Sequence, residues 1–496
     1  MAKITNISGY PFSRLSAEEE RGYLKDIFYK QQYYESLVDL AEASASRFIL
    51  GQRGIGKSAM ILHLFEDMKS LRLLPILIDQ YDGFPESRNC NYFLYSMITK
   101  LTFELANCML LDKTMIKKLN ATQQKQLGLY IEMFYDPITA SHCIEYAENI
   151  ASVRRWNAVK SFVNNNLSIL NNIIGLFVKV GASLIRNEIG LDGYDVNEYG
   201  NQYLSELKLT SYKQIPKETV VAWESERLKL MLYNLRDMAV AMEYSSVVVM
   251  FDKIDEIAGI NGQIEKVTTF MRDFLSDTSL LYAPNIAIIV SLWSEVKLAL
   301  NKQGVRFDKF KEVDIRWSDE ELVKLLNKRL LYYAEDKEKA PTFESLVPEK
   351  QERKTILSLA DKSPRSLLNL LGHILEEERE RNISCFSLDA LSKGYVKYCK
   401  KFDYTSAQPS RTGKGMDVVT WITRLLRMKV TSFDVEKYAA LNSITQKKAF
   451  SHIETLIKYN FIKDSMMATE NDELIYDIVD PRIRFLISRG ELSLDT

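Results

Sequence analysis

Apolar residues fall in two kinds of block along this chain: short continuous runs, and longer stretches in which they recur every three or four positions. Arg47-Phe48-Ile49-Leu50 is a run of the first kind, the pattern of a strand covered on both faces. Ser58 to Lys69 is of the second kind, with Ile61, Leu62, Leu64, Phe65 and Met68 at helical spacing. Leu74-Pro75-Ile76-Leu77-Ile78-Asp79 reads as the next parallel strand, closed by a carboxylate, before Gly83, Pro85 and Asn89 break the pattern. Val247-Val248-Val249-Met250-Phe251, Asn285 to Ser291 and Val313-Asp314-Ile315 predict three further strands.

About 165 residues separate Asp79 from Val247, too many for an ordinary crossover, which predicts a helical domain inserted into an α/β core. Asn164-Asn165-Asn166, Asn171-Asn172 and the Gly190 to Gly200 region read as loops within it. Leu167 to Ile185 is the most apolar long stretch. It contains Asn171, Asn172, Gly175, Lys179 and Gly181, which favours a buried or partner-facing helix over a membrane span. A long helix from Trp223 to Glu243 leads back into the core.

Residues 10 to 46 read as helical, with Ser16 ahead of Glu18, Glu19 and Glu20 as a start signal and Tyr33-Tyr34 near the end. Such a segment can lie over a ligand, although packing is the simpler role for the two tyrosines. Ser318 to Lys400 is helical again. Ser406 to Gly415 has the composition of a linker, and the remainder fits three helices and a hairpin: Val418 to Met428, Phe433 to Ala440, Gln446 to Tyr459, Phe461-Ile462-Lys463 and Ile475-Tyr476-Asp477. The predicted boundaries are 1–90 and 246–316 for the two parts of the core, 91–245 for the insertion, 317–405 for a helical lid and 416–496 for a winged-helix-like end.

The 496 residues are too many for one core, and the net charge of -1 supplies no overall attraction to nucleic acid or an anionic membrane. Five cysteines, at 90, 108, 143, 385 and 399, have no metal or redox spacing and read as reduced thiols of a cytoplasmic protein. Met1 to Tyr10 shows no secretory pattern. Four scattered histidines give no support to a His-based zinc or catalytic centre.

The chemistry lies at the strand ends. Gly51-Gln52-Arg53-Gly54-Ile55-Gly56-Lys57-Ser58 matches the G-x-x-x-x-G-K-[ST] phosphate-binding loop, and it stands between a predicted strand and a predicted helix. Its glycines let successive N–H groups converge on anionic oxygens at a helix N-terminus; Lys57 would reach the β and γ phosphates and Ser58 a Mg²⁺ ion. The strand at 247–251 delivers Asp252, a candidate for holding Mg²⁺ through water, with Asp255 or Glu256 placed to orient and deprotonate an attacking water. Ser291 ends the following strand, either as a γ-phosphate sensor or as a plain strand-end serine. Arg306 precedes the last strand, where an arginine can reach a neighbouring copy's γ-phosphate; a surface salt bridge is the alternative. Pro364 and Arg365 open a helix in a shape suited to touching a nucleotide from a lid, or serving only as a helix start.

With GQRGIGKS at 51–58, VVVMFDKIDEI at 247–257, KSPRSLL at 362–368 and the winged-helix-like end, the chain resembles the STAND and AAA+ branch of phosphate-loop ATPases, which includes NACHT-type switches and replication-initiator ATPases. The resemblance implies ATP and Mg²⁺ as ligands, Asp252 serving the metal, Asp255 the water and Arg365 the γ-phosphate. It is also similar to bacterial anti-phage and signalling switches. Lys253 stands where many AAA+ proteins carry a catalytic glutamate, which points to slow hydrolysis, and no arginine directly follows the strand at 285–291.

The expected fold is thus α/β, a phosphate-loop NTPase core with a parallel sheet, a large helical insertion, a helical lid and a winged-helix-like domain. The expected function is an ATP-binding, slowly hydrolysing switch that couples nucleotide state to homo-oligomerisation or a partner protein. A DNA-associated loader or initiator ATPase is the alternative. It would meet phosphates through Lys447 and Lys448, but the segment from Met416 onward holds about as many acidic as basic residues. A small-molecule kinase is a third possibility.

Overall fold

The structure is a computed structural model that describes residues 2–81, 83–85, 88–112, 114–134, 220–257, 260, 263–405, 415–468 and 474–495. The stretch Leu167 to Ile185, the asparagine-rich segments around 164–172 and the region 190–200 lie outside these described residues, as does most of the predicted linker at 406–415.

After a two-residue strand β1 (Lys3–Ile4), five strands build the central sheet: β2 (Arg47–Leu50), β3 (Leu73–Ile78), β4 (Ser246–Phe251), β5 (Ile286–Leu292) and β6 (Glu312–Asp314). Their order across the sheet is β3-β4-β5-β2-β6, and every pairing is parallel. The apolar runs follow from this arrangement, because a parallel sheet is covered on both faces. Successive side chains point to opposite faces. Ile49, Val248, Met250, Ala287 and Ile289 enter one core with the helix Lys57–Lys69; Phe48, Leu50, Val247, Val249 and Phe251 enter the other with the helices Cys90–Leu111, Ser225–Ala241 and Ile264–Leu275.

Because all five strands run the same way, their carboxyl ends share one edge, where ligands of open α/β sheets bind. Residues 51–58 leave β2 at that edge and Asp252 leaves β4 there. Strand β5 lies between them. Its register pairs Val290 with Phe251 and Ser291 with Ile49, which sets Ser291 level with the end of β4.

The helix Asp319–Tyr333 begins with a capping box between Ser318 and Glu321 and opens a helical layer continued by Lys350–Ala360, Pro364–Glu377 and Leu388–Lys401. A strand β7 (Asn382–Ile383) in this layer pairs with β1, so the first residues of the chain are anchored to the lid. Residues 10–46 are less helical than their pattern predicts: only Leu24–Ile27 and Tyr34–Glu42 are α-helical. The physical reason is a side chain from the lid. The Arg329 guanidinium donates to the carbonyls of Pro11 and Arg14, holding that backbone in turns.

The C-terminal part comprises the helices Gly415–Met428, Val435–Leu441, Gln446–Lys458 and Pro481–Ser488 with β8 (Ser432–Phe433), β9 (Ile462–Ala468) and β10 (Leu474–Ile478), an antiparallel sheet in the order β8-β10-β9. It packs on the lid: Lys400 pairs with Glu491 at 2.6 Å. Among the described residues no helix is long and apolar enough to cross a membrane.

Within the lid, helices 364–377 and 388–401 cross at Gly394, where an added Cβ would fall 2.7 Å from both Cα and Cγ1 of Ile374. Backbone cannot yield cheaply at that distance. Gly394→Ala is therefore expected to cost about 1–3 kcal/mol in overpacking, read as a lowered urea midpoint without a change in slope.

Candidate functional site

Three glycines shape the loop after β2. Gly54 and Gly56 lie at φ +79° and +103°, in the left-handed region where a Cβ is costly, and a Cβ at Gly51 would meet Ile55 Cγ2 at 2.8 Å. Gly56 is the N-cap of helix 57–69 and offers no side chain, which leaves the first-turn N–H groups facing the sheet edge. Such an end attracts anions. Lys57 is 9 % exposed and folds back over the loop, donating to Gly51 O at 2.9 Å and Gln52 O at 3.0 Å. Burial pushes its pKa down, while Asp255, Asp252 and Glu295 oppose the shift. A desolvated ammonium bound only to carbonyls stands to gain from an anion.

The acidic side is equally fixed. Asp252 is 4 % exposed and its carboxylate accepts from Ser291 Oγ, as the strand register dictates. The buried Tyr81 hydroxyl bonds the backbone oxygens of Asp252, at 2.8 Å, and Ile78, at 3.0 Å, tying the ends of β4 and β3 together. Lys253 adopts φ +58° and reaches Glu18 of the N-terminal segment at 2.9 Å. Burial raises the pKa of Asp255, with Lys57 acting against it, and burial followed by the Asp255 charge raises that of Glu256. Arg53 lies 4.0 Å from Glu256.

The lid closes over the loop through backbone contacts. Gly54 O accepts from Ser363 Oγ at 3.2 Å and from Arg365 N at 3.5 Å, and Trp317 Nε1 donates to Ile55 O at 2.8 Å. Pro364 occupies the first turn of its helix behind the capping Ser363, whose hydroxyl accepts from Ser366 N. The Arg365 guanidinium donates to Leu15 O at 3.2 Å. Just ahead, Asp361 and Lys362 both take left-handed conformations, φ +50° and +59°, each costing about 1–2 kcal/mol outside glycine.

One cavity is lined by Arg53, Gly54, Gly56, Lys57 and Ser58 from the loop, by Asp252, Lys253, Asp255 and Glu256 from β4, and by Pro364 and Arg365 from the lid. Lys57 and Asp252 thus share one space despite the long insertion between their strands. Part of the lining is apolar: Leu24, Ile27, Phe28, Leu325 and Leu368. Tyr33, Tyr34 and Arg306 are not among the lining residues. Tyr34 is fully buried against His63, and Arg306 makes a bidentate, exposed pair with Asp308 at 2.7 and 2.8 Å.

Several lining residues have no motif. Glu20, Leu24, Ile27 and Phe28 come from the N-terminal segment, and Glu20 makes a buried ion pair with Arg329 at the cavity wall. Arg329 carried one usable signal: it falls on the apolar face formed by Leu322, Leu326 and Leu330, where an unpaired cation is untenable.

No family model matches this chain, and no curated protein matches it. Among solved structures it is similar to the Aeropyrum pernix ORC1 protein in complex with DNA, at 10% identity over 98% of both chains with a TM-score of 0.40. It is also similar to the Aeropyrum pernix ORC2 protein in ADPNP–ADP complexes, at 12% identity over 92% of both chains with a TM-score of 0.39. Cdc6p from Pyrobaculum aerophilum gives 12% identity over 98% of this chain and 97% of that one, with a TM-score of 0.30. These are loose overlays, and the fold stands on the strand order and loop geometry described above.

Breaking the buried pair from one side leaves the other charge without compensation. Arg329→Ala is expected to cost about 3–5 kcal/mol, whereas Arg329→Met combined with Glu20→Leu should cost far less, a contrast measurable by chemical denaturation.

Proposed function

We propose that the chain is an ATP-binding, slowly hydrolysing ATPase of the AAA+ type, in which the bound nucleotide holds core, lid and N-terminal segment together. The observation that carries this reading is that Lys57 and Ser58 from one helix start, Asp252 from a strand end and Arg365 from a second helix start line one cavity. The residues suit the ligands. Glycines at 51, 54 and 56 keep space clear beside open N–H groups, and the oxygen donors Ser58 and Asp252 suit a hard cation such as Mg²⁺. When bound, Mg²⁺ would supply positive charge that offsets the charge on the phosphates.

The roles of the chain's own groups follow from their positions. Gly51, Gln52, Arg53, Gly54, Ile55 and Gly56 form the cradle; Lys57 draws the outer phosphates. Asp255, its pKa raised by burial, is the general base for water, and Glu256 is held near Arg53 as the second candidate. The apolar wall at Leu24, Ile27, Phe28 and Leu368 suits a flat base. Arg365 senses the γ-phosphate from the lid, so triphosphate and diphosphate differ in how firmly they close it. The output is homo-oligomerisation or engagement of a partner protein, with Arg306 exposed for a neighbouring copy's site.

Lys57→Ala is expected to weaken ATP binding by roughly 100-fold, about 3 kcal/mol for a lost charge-assisted contact, as measured by calorimetry. Wild-type protein with ATP should release free phosphate slowly, and Asp252→Asn should stop the release. A phosphorylated metabolite in place of free phosphate would make the protein a kinase.

A second reading, a DNA-associated ATPase, draws on Lys447 and Lys448, which are exposed in the first turn of helix 446–458 where Thr445 caps it. DNA affinity that falls with salt, and whose logarithmic salt slope drops by about 2 in Lys447→Glu plus Lys448→Glu, would support it. Salt-independent or absent binding would remove it.

A further inference from the structure

The turn that carries the lid's Ser363 and Arg365 onto Gly54 is also gripped from the opposite side. Arg482, in the first turn of the C-terminal helix 481–488, is 6 % exposed and donates through Nη2 to Asp361 Oδ2 at 3.0 Å. Its Nε lies 3.2 Å from each oxygen of Asp480, a residue 4 % exposed in its side chain that also caps the helix by accepting from Arg482 N at 2.9 Å and Ile483 N at 3.1 Å. The guanidinium further rests 3.9 Å from the centre of the Phe402 ring. Asp480, Phe402 and the helix start therefore fix the fork, and Nη2, which also donates to Asp480 Oδ2 at 2.5 Å, is the arm shared with Asp361.

Asp361 ends helix 350–360 and, with Lys362, supplies the two successive left-handed residues that turn the chain into Ser363. Lys362 is pinned in turn to Asp319, at the start of the lid's first helix and two residues beyond Trp317, which bonds Ile55 O. Non-glycine residues hold such conformations only where their surroundings over-determine them. Here the surroundings are two ion pairs, one reaching into the C-terminal part and one into the lid.

We propose that Arg482 is a positioning residue of the nucleotide site: by holding Asp361 it sets the 361–365 turn that places Ser363 and Arg365 against the phosphate loop, and so links the C-terminal part to the state of the nucleotide. This rests on the ATP-binding reading above. The link is reciprocal, since whatever closure gains from a γ-phosphate it returns as a firmer hold on helix 481–488.

The test uses the full chain and Asp361→Asn. Asparagine tolerates the left-handed conformation and keeps an acceptor, but removes the charge; the buried Arg482 retains Asp480, so the fold is preserved. The control is Lys400→Ala, which deletes the 2.6 Å Lys400–Glu491 pair across the same two parts without touching the turn. Affinities for a non-hydrolysable ATP analogue and for ADP are measured by calorimetry, and amide exchange of helix 481–488 is followed with and without the analogue. The expected result is a five- to tenfold fall in the analogue-to-ADP affinity ratio in Asp361→Asn only, together with loss of the slowing of exchange that the analogue produces in wild-type helix 481–488. A ratio and exchange response unchanged in Asp361→Asn, or lowered equally by Lys400→Ala, would overturn the link while leaving the nucleotide site intact. Wild-type protein that binds neither nucleotide would overturn both.

Discussion

The backbone oxygen of Gly54 joins the two halves of the site, with that of Ile55 beside it. Gly54 O accepts from Ser363 Oγ and from Arg365 N, so the tip of the phosphate loop is hydrogen-bonded to the start of the lid helix. A loop with three glycines in six positions has more freedom to lose on ordering than a glycine-free loop of its length. The lid and Trp317 remove that freedom before any ligand arrives. A ligand entering an already ordered cradle does not bear that cost, which is how preorganisation turns into affinity. The same bond explains the glycine itself: at φ +79° with Ser363 Oγ 3.2 Å from where a Cβ would sit, a side chain would strain the backbone and push the lid away.

The sheet supplies the other constraint. With all strands parallel and both faces covered, polar groups can collect only where strands end, and the register decides which ones meet. Ser291 reaches Asp252 because β5 lies between β4 and β2 and runs level with both. Tyr81 then fixes the Asp252 backbone from the far side of the sheet. The carboxylate is aimed by two strands and one phenol. This accounts for a buried acid in a protein whose charged residues are otherwise mostly solvated.

What the sequence made legible was chemistry confined to a few consecutive residues. The strand-loop-helix around 47–69 could be read from glycine spacing and apolar period, and the acids at 252–256 from an apolar run that stops at a carboxylate. Contacts between distant segments could not be read. Glu20 and Arg329 are 309 positions apart; Glu20 looks locally like part of a solvated helix face, and the apolar stripe around Arg329 calls for a partner without naming one. Lys253 and Glu18 are equally remote and equally ordinary in composition. The segment 10–23 misled for the same reason: its helix-start signal, Ser16 before three glutamates, was overridden when Arg329 claimed the carbonyls of Pro11 and Arg14. Local propensity amounts to tenths of a kcal/mol per residue, and a buried guanidinium that must be satisfied outweighs it.

Those long-range ion pairs share a property that bears on what they are for. Taking charges out of water is expensive, and well-packed apolar residues would often give equal or greater stability in their place. Arg329 and Arg482 are each buried, Arg329 held by the Glu20 carboxylate and the carbonyls of Pro11 and Arg14, Arg482 by the carboxylates of Asp480 and Asp361, and each ties its own helix to a distant part of the chain beside the cavity or one turn behind it. A leucine would fill either space without regard to angle. A guanidinium fork with its partners met leaves few orientations for the segments it joins. What these arginines add over an apolar core is therefore definition of geometry: one sets the N-terminal segment as a wall, the other sets a strained turn against the loop. A site assembled from five separate stretches of chain needs that definition more than it needs additional burial.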